Sequence, residues 1–356
     1  MDYSATTNQN HMILLDGSRV GDNFPTYIIA EIGQNHNGDI KIAKLLIEMA
    51  NRCGANAVKF QKRDITSELT TEAYYKLYDN PNSFGKTYGE HREYLELNED
   101  ENRELKAFCD EIGITFFCTP CDLPSLEIME RLCVPFYKVA SRDLTNIPLL
   151  IELSKINKPV IISTGMAAYE DIEDALDVLK LHTDDIIIMQ CTSEYPCKLE
   201  NVNLRVIQTL REKYGYLVGF SDHTSGIIIS AVASTFGACV IEKHITLDRS
   251  MKGTDHPGAL QEAGLMKLVE YIRAINKAIG NPEKIFNPAV IASKNKLARS
   301  LTTKIPIPKG SILKEDMICL KSPGSGLLWR EKGQVLGKKA LFNIEANVTI
   351  ARGDFE

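Results

Sequence analysis

Two histidines sit in matching surroundings between positions 219 and 248. GFSDHTSG (219–226) places His223 just behind the apolar run 217–220, and GACVIEKHITLD (237–248) places His244 just behind the run 239–241. The stretch between them, 226–236, has the length of one helix. The order is strand, polar loop, helix, strand, polar loop. Parallel neighbouring strands joined this way bring both imidazoles to one edge of a sheet. Two imidazoles from adjacent strand ends are half of a divalent-metal site; the other reading is two unrelated surface histidines. The four closed ligands of a structural zinc are not seen, so the metal reading predicts an open site, with positions left for substrate oxygen and water. Such a metal acts as a Lewis acid on a carbonyl.

More residues of chemical interest stand at the ends of other apolar runs. In chain order they are Glu31; Lys59 and Gln61; Thr119; Lys138 and Ser141; Ser163 and Thr164; Thr192, Ser193 and Tyr195; Ser221; and Glu242. Lys59 and Lys138 lie inside strand-like runs, and a lysine is not buried there without a partner. Two lysines with several hydroxyls suit a phosphate and a carboxylate. A salt bridge to Glu31 or Glu242 accounts for either lysine equally well. A Schiff-base lysine is a third reading.

The elements that would position these residues recur as strand then helix. Strands are expected at 27–31, 57–60, 114–118, 136–140, 159–163, 185–191, 217–220 and 239–241. Helices are expected at 40–52, 99–111, 123–132, 147–154, 169–181, 204–214, 226–236 and 261–279. Eight such units in about 250 residues predict a (β/α)8 TIM barrel. A doubly wound open sheet is the alternative, and the first strand lacks the GxGxxG loop of a dinucleotide fold. In a barrel every strand end faces one mouth, so the polar residues above converge.

Four segments follow from this rhythm. Residues 1–24 are an N-terminal segment, disordered over 1–11 and then a short hairpin. Residues 25–281 form the barrel. Residues 282–292, flanked by Asn281-Pro282 and containing Asn287-Pro288, form a linker. Residues 293–356 form a small, mostly β domain. One long polar loop, 64–93, interrupts the rhythm, and loops of that length carry function or are disordered.

Composition narrows the class. The 356 residues are 44% hydrophobic and 25% charged, with a net charge of −6, as in an ordinary soluble protein. No basic block stands out, which argues against nucleic acid. No apolar stretch is long enough for a bilayer, which argues against a membrane protein. Nine scattered cysteines and a polar N-terminus point to a reduced, cytoplasmic protein. Cys118 and Cys121 have redox or zinc spacing but no answering pair, and read as a strand end with its loop.

AEIGQNHNG (30–38), VKFQ (58–61), GFSDH (219–223), IEKH (241–244) and KGTDH (252–256) together resemble the sialic acid synthase family. The resemblance runs over about residues 12–354, and the tail from 293 is similar to the SAF, or antifreeze-like, domain. It implies a transferase that condenses phosphoenolpyruvate with an open-chain N-acylhexosamine, giving a nine-carbon 2-keto sugar acid and phosphate. It implies a divalent metal, typically Mn²⁺ with Mg²⁺ or Co²⁺ possible, held by His223 and His244. It also implies a homodimer in which each SAF domain covers the partner's barrel mouth.

Residue by residue, the resemblance assigns phosphoenolpyruvate to Lys59, Thr119, Lys138, Ser141, Ser163, Ser193 and Ser221. Glu31 serves the water that attacks C2, Glu242 orients a ligand or a lysine, and Gln61, Tyr195 and Asp255 hold the sugar. Three positions depart from the family pattern. Ser193 replaces an Asn. Asp143 replaces a Glu that reaches the sugar. Ser322 replaces an Arg supplied by the partner, leaving Lys321 to provide charge. These departures bear on the acceptor more than on the reaction, and allow precursors of legionaminic or pseudaminic type, such as a 2,4-diacetamido-trideoxyhexose. The 64–93 loop, with Tyr88, His91 and Arg92, is expected to help choose. A 6-phosphorylated acceptor would need a basic patch, for which Arg63, Lys86 and Arg92 are available. Two further alternatives are a lysine Schiff-base aldolase and a relic barrel whose tail binds ice or a glycan.

Overall fold

A computed structural model describes residues 11–356. The expected disordered lead-in therefore lies mostly outside the described residues. Two compact units are present, 1–280 and 281–356.

The first unit opens with an antiparallel hairpin, β1 (Met12–Leu15) and β2 (Ser18–Gly21). Eight parallel strands follow: β3 (Tyr27–Gly33), β4 (Ala57–Lys62), β5 (Thr115–Pro120), β6 (Tyr137–Val139), β7 (Val160–Ser163), β8 (Ile186–Gln190), β9 (Leu217–Asp222) and β10 (Val240–His244). They pair in sequence order, and β10 returns to pair with β3, closing the barrel expected from the eight repeats. The main helices are α1 (Ile40–Arg52), α5 (Glu99–Ile112), α6 (Leu123–Arg131), α7 (Ile147–Lys155), α8 (Tyr169–Leu179), α9 (Val206–Tyr214), α10 (Ile228–Thr235) and α11 (Glu262–Ile279). Their stops follow local rules. In α5, Asn98 and Glu101 form a capping box, and Gly113 ends the helix with φ 79°, where a side chain would be strained.

Strand alternation divides the core in two. Side chains such as Ile28, Val58, Phe116, Ile162 and Ile241 point outward and pack beneath the helices. Their neighbours Tyr27, Ile29, Ala57, Phe117, Phe136, Ile161, Ile187 and Val240 point inward. Ile13, Leu15 and Val20 of the hairpin join this inner cluster, so the hairpin closes the barrel at the N-terminal ends of its strands. That leaves the C-terminal ends as the mouth.

The expected loop 64–93 is not structureless. It holds three short helices, α2 (Ile65–Glu68), α3 (Thr71–Tyr75) and α4 (Tyr88–Tyr94). Asp64, Thr70 and Thr87 cap them, the last in a capping box with Glu90. These caps were visible in sequence, but the helices are too short to show a periodicity.

In the second unit, the expected linker contains the start of α12 (Ile291–Leu297). The tail that follows carries β11 (Ser300–Thr303) paired antiparallel with β12 (Ile318–Lys321), plus single bridges and 3-10 turns. Its core is small: Leu301, Ile307, Leu313, Ile318, Val335, Ile344, Ile350 and Phe355. No helix among the described residues is long and apolar enough to cross a membrane.

Candidate active site

At the mouth, alternation turns Glu31, Lys59, Gln61, Ser221, Glu242 and His244 inward while Ala30, Val58, Phe60, Phe220 and Ile241 pack outward. Lys59 lies at the centre. Its Nζ is 3.2 Å from Glu31 Oε2, 3.4 Å from Glu242 Oε1 and 3.3 Å from the Thr119 hydroxyl. The salt-bridge reading of Lys59 is therefore met twice over, from strands on either side of the barrel seam. Burial works to lower the Lys59 ammonium, but Glu242 and Glu31 outweigh it and leave it raised. Burial likewise works to raise Glu242, and Lys138, Lys59 and the two histidines outweigh it, holding the carboxyl at about 2.

Lys138 differs. It donates to the Val139 carbonyl at 3.1 Å and to the Ser163 hydroxyl, and it makes no ion pair within 4 Å among the described residues. Burial lowers its ammonium. A buried cation held only by neutral oxygens is suited to receive an anion. Ser221 donates to Glu242 Oε1 at 3.1 Å, while Glu242 Oε2 is buried with no hydrogen-bond partner.

Beside this floor, Ser141, Cys191 and Ser193 gather around Gly165. The Ser141 hydroxyl accepts from Gly165 N at 2.9 Å and lies 3.3 Å from Cys191 Sγ. A Cβ on Gly165 would fall 2.6 Å from Ser193 Oγ, 2.8 Å from Cys191 Sγ and 3.0 Å from Ser141 Oγ. The Gly165→Ala variant is thus expected to fold, but to displace these hydroxyls and raise KM for an anionic substrate by about tenfold, in line with the cost of sub-ångström misplacement. Steady-state kinetics on the folded variant check this; an unchanged KM would remove Ser141 and Ser193 from the site.

The two histidines stand on the rim. Their ring centroids are 6.0 Å apart, and the Tyr195 ring lies 4.1 Å from His223 and 6.0 Å from His244. These three share a small pocket with Thr254 and Asp255. His223 Nδ1 is 2.7 Å from the Thr192 carbonyl, which fixes that nitrogen as a donor and leaves Nε2 with its lone pair. Burial, then His244, lowers His223 to about 4, so its ring is neutral near pH 7. His244 Nδ1 is buried with no partner. Gly33, with φ 54°, makes room here: a Cβ would lie 3.1 Å from Glu31 Oε1 and 3.2 Å from His244 Cε1. No group of three or more His, Cys, Asp or Glu side chains among the described residues is arranged for a metal. Two imidazoles, one with an orphaned nitrogen, fit a divalent ion that completes its shell with other ligands.

The remaining expected residues are placed as follows. Gln61 is spent at both ends, donating to Glu31 Oε1 at 2.7 Å and accepting from Arg63. Asp143 lies 3.4 Å from Arg142 Nε, and burial raises its carboxyl. Lys321 belongs to the second unit, where it donates to Asn347. Of the three cations considered for a phosphorylated acceptor, Lys86 is exposed, while Arg63 and Arg92 are buried. Arg63 pairs with Glu96 at 2.8 Å and Arg92 with Glu68 at 3.2 Å. His91 packs among Tyr78, Phe84 and Tyr88. Sequence reading missed Gly33, Gly165, Cys191 and the Thr192 carbonyl. Glycines and main-chain oxygens have no side-chain chemistry to flag them.

The model of the NeuB family matches residues 46–284, and that of the SAF domain matches 298–356. The chain is 39% identical to the human N-acetylneuraminate-9-phosphate synthase, over 95% of this chain and 94% of that protein. It is 38% identical to the N,N'-diacetyllegionaminic acid synthase of Campylobacter jejuni, over 91% and 98% respectively. Among solved structures, an N-acetylneuraminic acid (sialic acid) synthetase from Leptospira borgpetersenii, in complex with citrate, aligns with a TM-score of 0.71 at 33% identity. The alignment covers 80% of this chain and 95% of that one.

Proposed function

The chain belongs to the NeuB family, and from that premise we propose that it condenses phosphoenolpyruvate with an open-chain N-acylhexosamine to a nine-carbon 2-keto sugar acid and phosphate. The observation that carries this reading is the floor of the mouth: two buried lysines, only one of them charge-paired, ringed by Thr119, Ser163 and Ser221. Lys138, with Ser141, Ser163 and Ser193, is assigned to the donor's phosphate and carboxylate, and Lys59 completes that grip while balancing Glu31 and Glu242. Tyr195 and Asp255, on the rim beside the histidines, are assigned to the sugar, with Gln61 and Asp143 behind them. Lys321 is assigned to the sugar from the partner subunit of a homodimer, which sedimentation at working concentration would test. Nine free thiols support work in the cytoplasm.

The enol carbon C3 attacks the aldehyde carbon of the acceptor, whose oxygen takes a proton. His223 and His244 would hold a divalent ion, Mn²⁺ before Mg²⁺ or Co²⁺, whose chemistry is Lewis-acid polarisation of that aldehyde. Positive charge then develops at C2, close to Glu31 and Glu242, which stabilise it. Glu31, at the seam and 1% exposed, takes a proton from the water that adds to C2. Phosphate leaves with its bridging oxygen, and the carbonyl forms. In ¹⁸O-water the released phosphate is expected to stay unlabelled; labelled phosphate would mean P–O cleavage and sink this sequence of steps.

The commitment of Arg63 and Arg92 to Glu96 and Glu68 supports an acceptor without phosphate. The human relative's name favours the second reading, a 6-phosphorylated hexosamine. The test is phosphate release with N-acetylmannosamine, its 6-phosphate and a 2,4-diacetamido-trideoxyhexose. A kcat/KM at least tenfold higher on the 6-phosphate overturns the first reading, and no release with any acceptor overturns both.

A further inference from the structure

Between the mouth-facing pairs Ser221–His223 and Glu242–His244 stand two residues that point the other way. Asp222 and Lys243 are directly opposite each other in the β9–β10 ladder, and both face the helix layer. They form an ion pair of 3.0 Å with 1% or less of either side chain exposed. The pair is tied into its surroundings at every polar atom. Asp222 Oδ1 accepts from Thr224 N at 2.7 Å, and Oδ2 accepts from the hydroxyl of Ser230 on α10. Lys243 Nζ also donates to the Thr224 carbonyl.

Stability does not explain this arrangement. Two charges taken fully out of water cost several kcal/mol each, and apolar residues of similar volume serve a barrel wall as well or better. What the pair adds is direction. Asp222 precedes His223 and Lys243 precedes His244, so on the outer face of the wall this ion pair bridges the two histidine-bearing strands beside the histidines themselves. Thr224, on the other side of His223, is held by both of its main-chain groups to the same pair. His223 is thereby pinned from the residue before and the residue after.

We propose that Asp222 and Lys243 are positioning residues that set the separation of the two imidazoles from the outer face of the barrel wall, a role that rests on the metal reading above. Their side-chain partners are Thr224, Ser230 and each other, on the helix side of the wall. Loss of such outer supports weakens metal binding by about 10–100-fold in general, and that is the effect expected here.

The test compares the wild-type chain with Asp222→Asn/Lys243→Met. This double variant keeps the net charge of the pair, so an altered affinity reports geometry and not field. Asparagine also keeps an acceptor for Thr224 N. Mn²⁺ affinity is read by calorimetry and by Mn²⁺ EPR, with folding followed by circular dichroism. The expected result is a folded protein that binds Mn²⁺ at least tenfold more weakly, with kcat restored at high Mn²⁺. A folded double variant within about twofold of wild type overturns the proposal. Should the double variant not fold, Ser230→Ala decides, since it loosens Asp222 and leaves the ion pair in place. A few-fold weaker Mn²⁺ affinity there supports the proposal, and an unchanged one overturns it. His223→Ala/His244→Ala serves as the blank. Wild type that binds Mn²⁺ no better than this blank sinks the metal reading itself, and this proposal falls with it.

Discussion

Lys59→Met is expected to lower kcat/KM for phosphoenolpyruvate by about 10³-fold or more, roughly 4 kcal/mol of transition-state stabilisation, and to destabilise the barrel as well. The two losses have one cause. Lys59 is the buried cation between Glu31 and Glu242, at 3.2 and 3.4 Å. Removing it leaves two carboxylates facing each other in a site that excludes water, and stranding a buried charge typically costs about 3–5 kcal/mol. A fall in Tm of about 4–8 °C follows for a chain of this size. The double variant Lys59→Met/Glu31→Gln separates the effects. With Glu242 still answered by the charge of Lys138 it should regain most of the lost Tm, yet remain without activity. Near wild-type turnover in Lys59→Met would show that the lysine is only a counter-ion. A double variant no more stable than the single one would show that charge balance is not what Lys59 supplies.

The second large effect concerns the rim. His244→Ala, or exhaustive EDTA treatment of the wild-type chain, is expected to stop phosphate release by a factor of about 10³. Returned Mn²⁺ should restore the treated wild type and not the variant. Thermal stability should change little in the variant, because His244 Nδ1 makes no hydrogen bond to the protein that the alanine would lose. Full turnover after EDTA, verified by elemental analysis of the protein, would remove the metal from the mechanism. The residual function would then have to be carried by Lys59, Lys138 and Tyr195 alone.

The barrel was legible because its signal repeats. Eight short apolar runs, each followed by a helical period, leave few topologies, and the strand ends then name the mouth. The same strand ends named Glu31 and Glu242 as alternative partners of Lys59. They did not tell that both meet it at once, because those strands become neighbours only through the closure of β3 on β10, a pairing between opposite ends of the barrel sequence. Arg63 was read as a cation free for substrate, whereas it is buried against Glu96 and Gln61. Partners of a buried charge lie far along the chain, so local composition cannot supply them. Asp222 and Lys243 escaped notice for the opposite reason. Each is adjacent to a histidine of evident interest, yet alternation sends it to the other side of the wall. The helices of 65–94 were missed because each is one or two turns long and is set by its cap, not by a period. The tail of the chain had its core residues in plain view, but only two short strands form from them; single bridges and turns complete the rest.

The seam between β3 and β10 also bears on how the molecule is made. His244 pairs in register with Glu31, so the first barrel strand to leave the ribosome waits for the last. Until then β3 and β9 are both raw edges, with main-chain donors and acceptors open to any passing strand. Glu242 has not yet reached Lys59, so half of that lysine's counter-charge is missing over the same interval. Closure of the barrel and completion of the charge balance are thus one event, late in synthesis, with residues 281–356 still to come. A nascent chain halted before β10 would be an adhesive one, and a ready client for chaperones; a closed barrel without both carboxylates on Lys59 is not a state this topology provides.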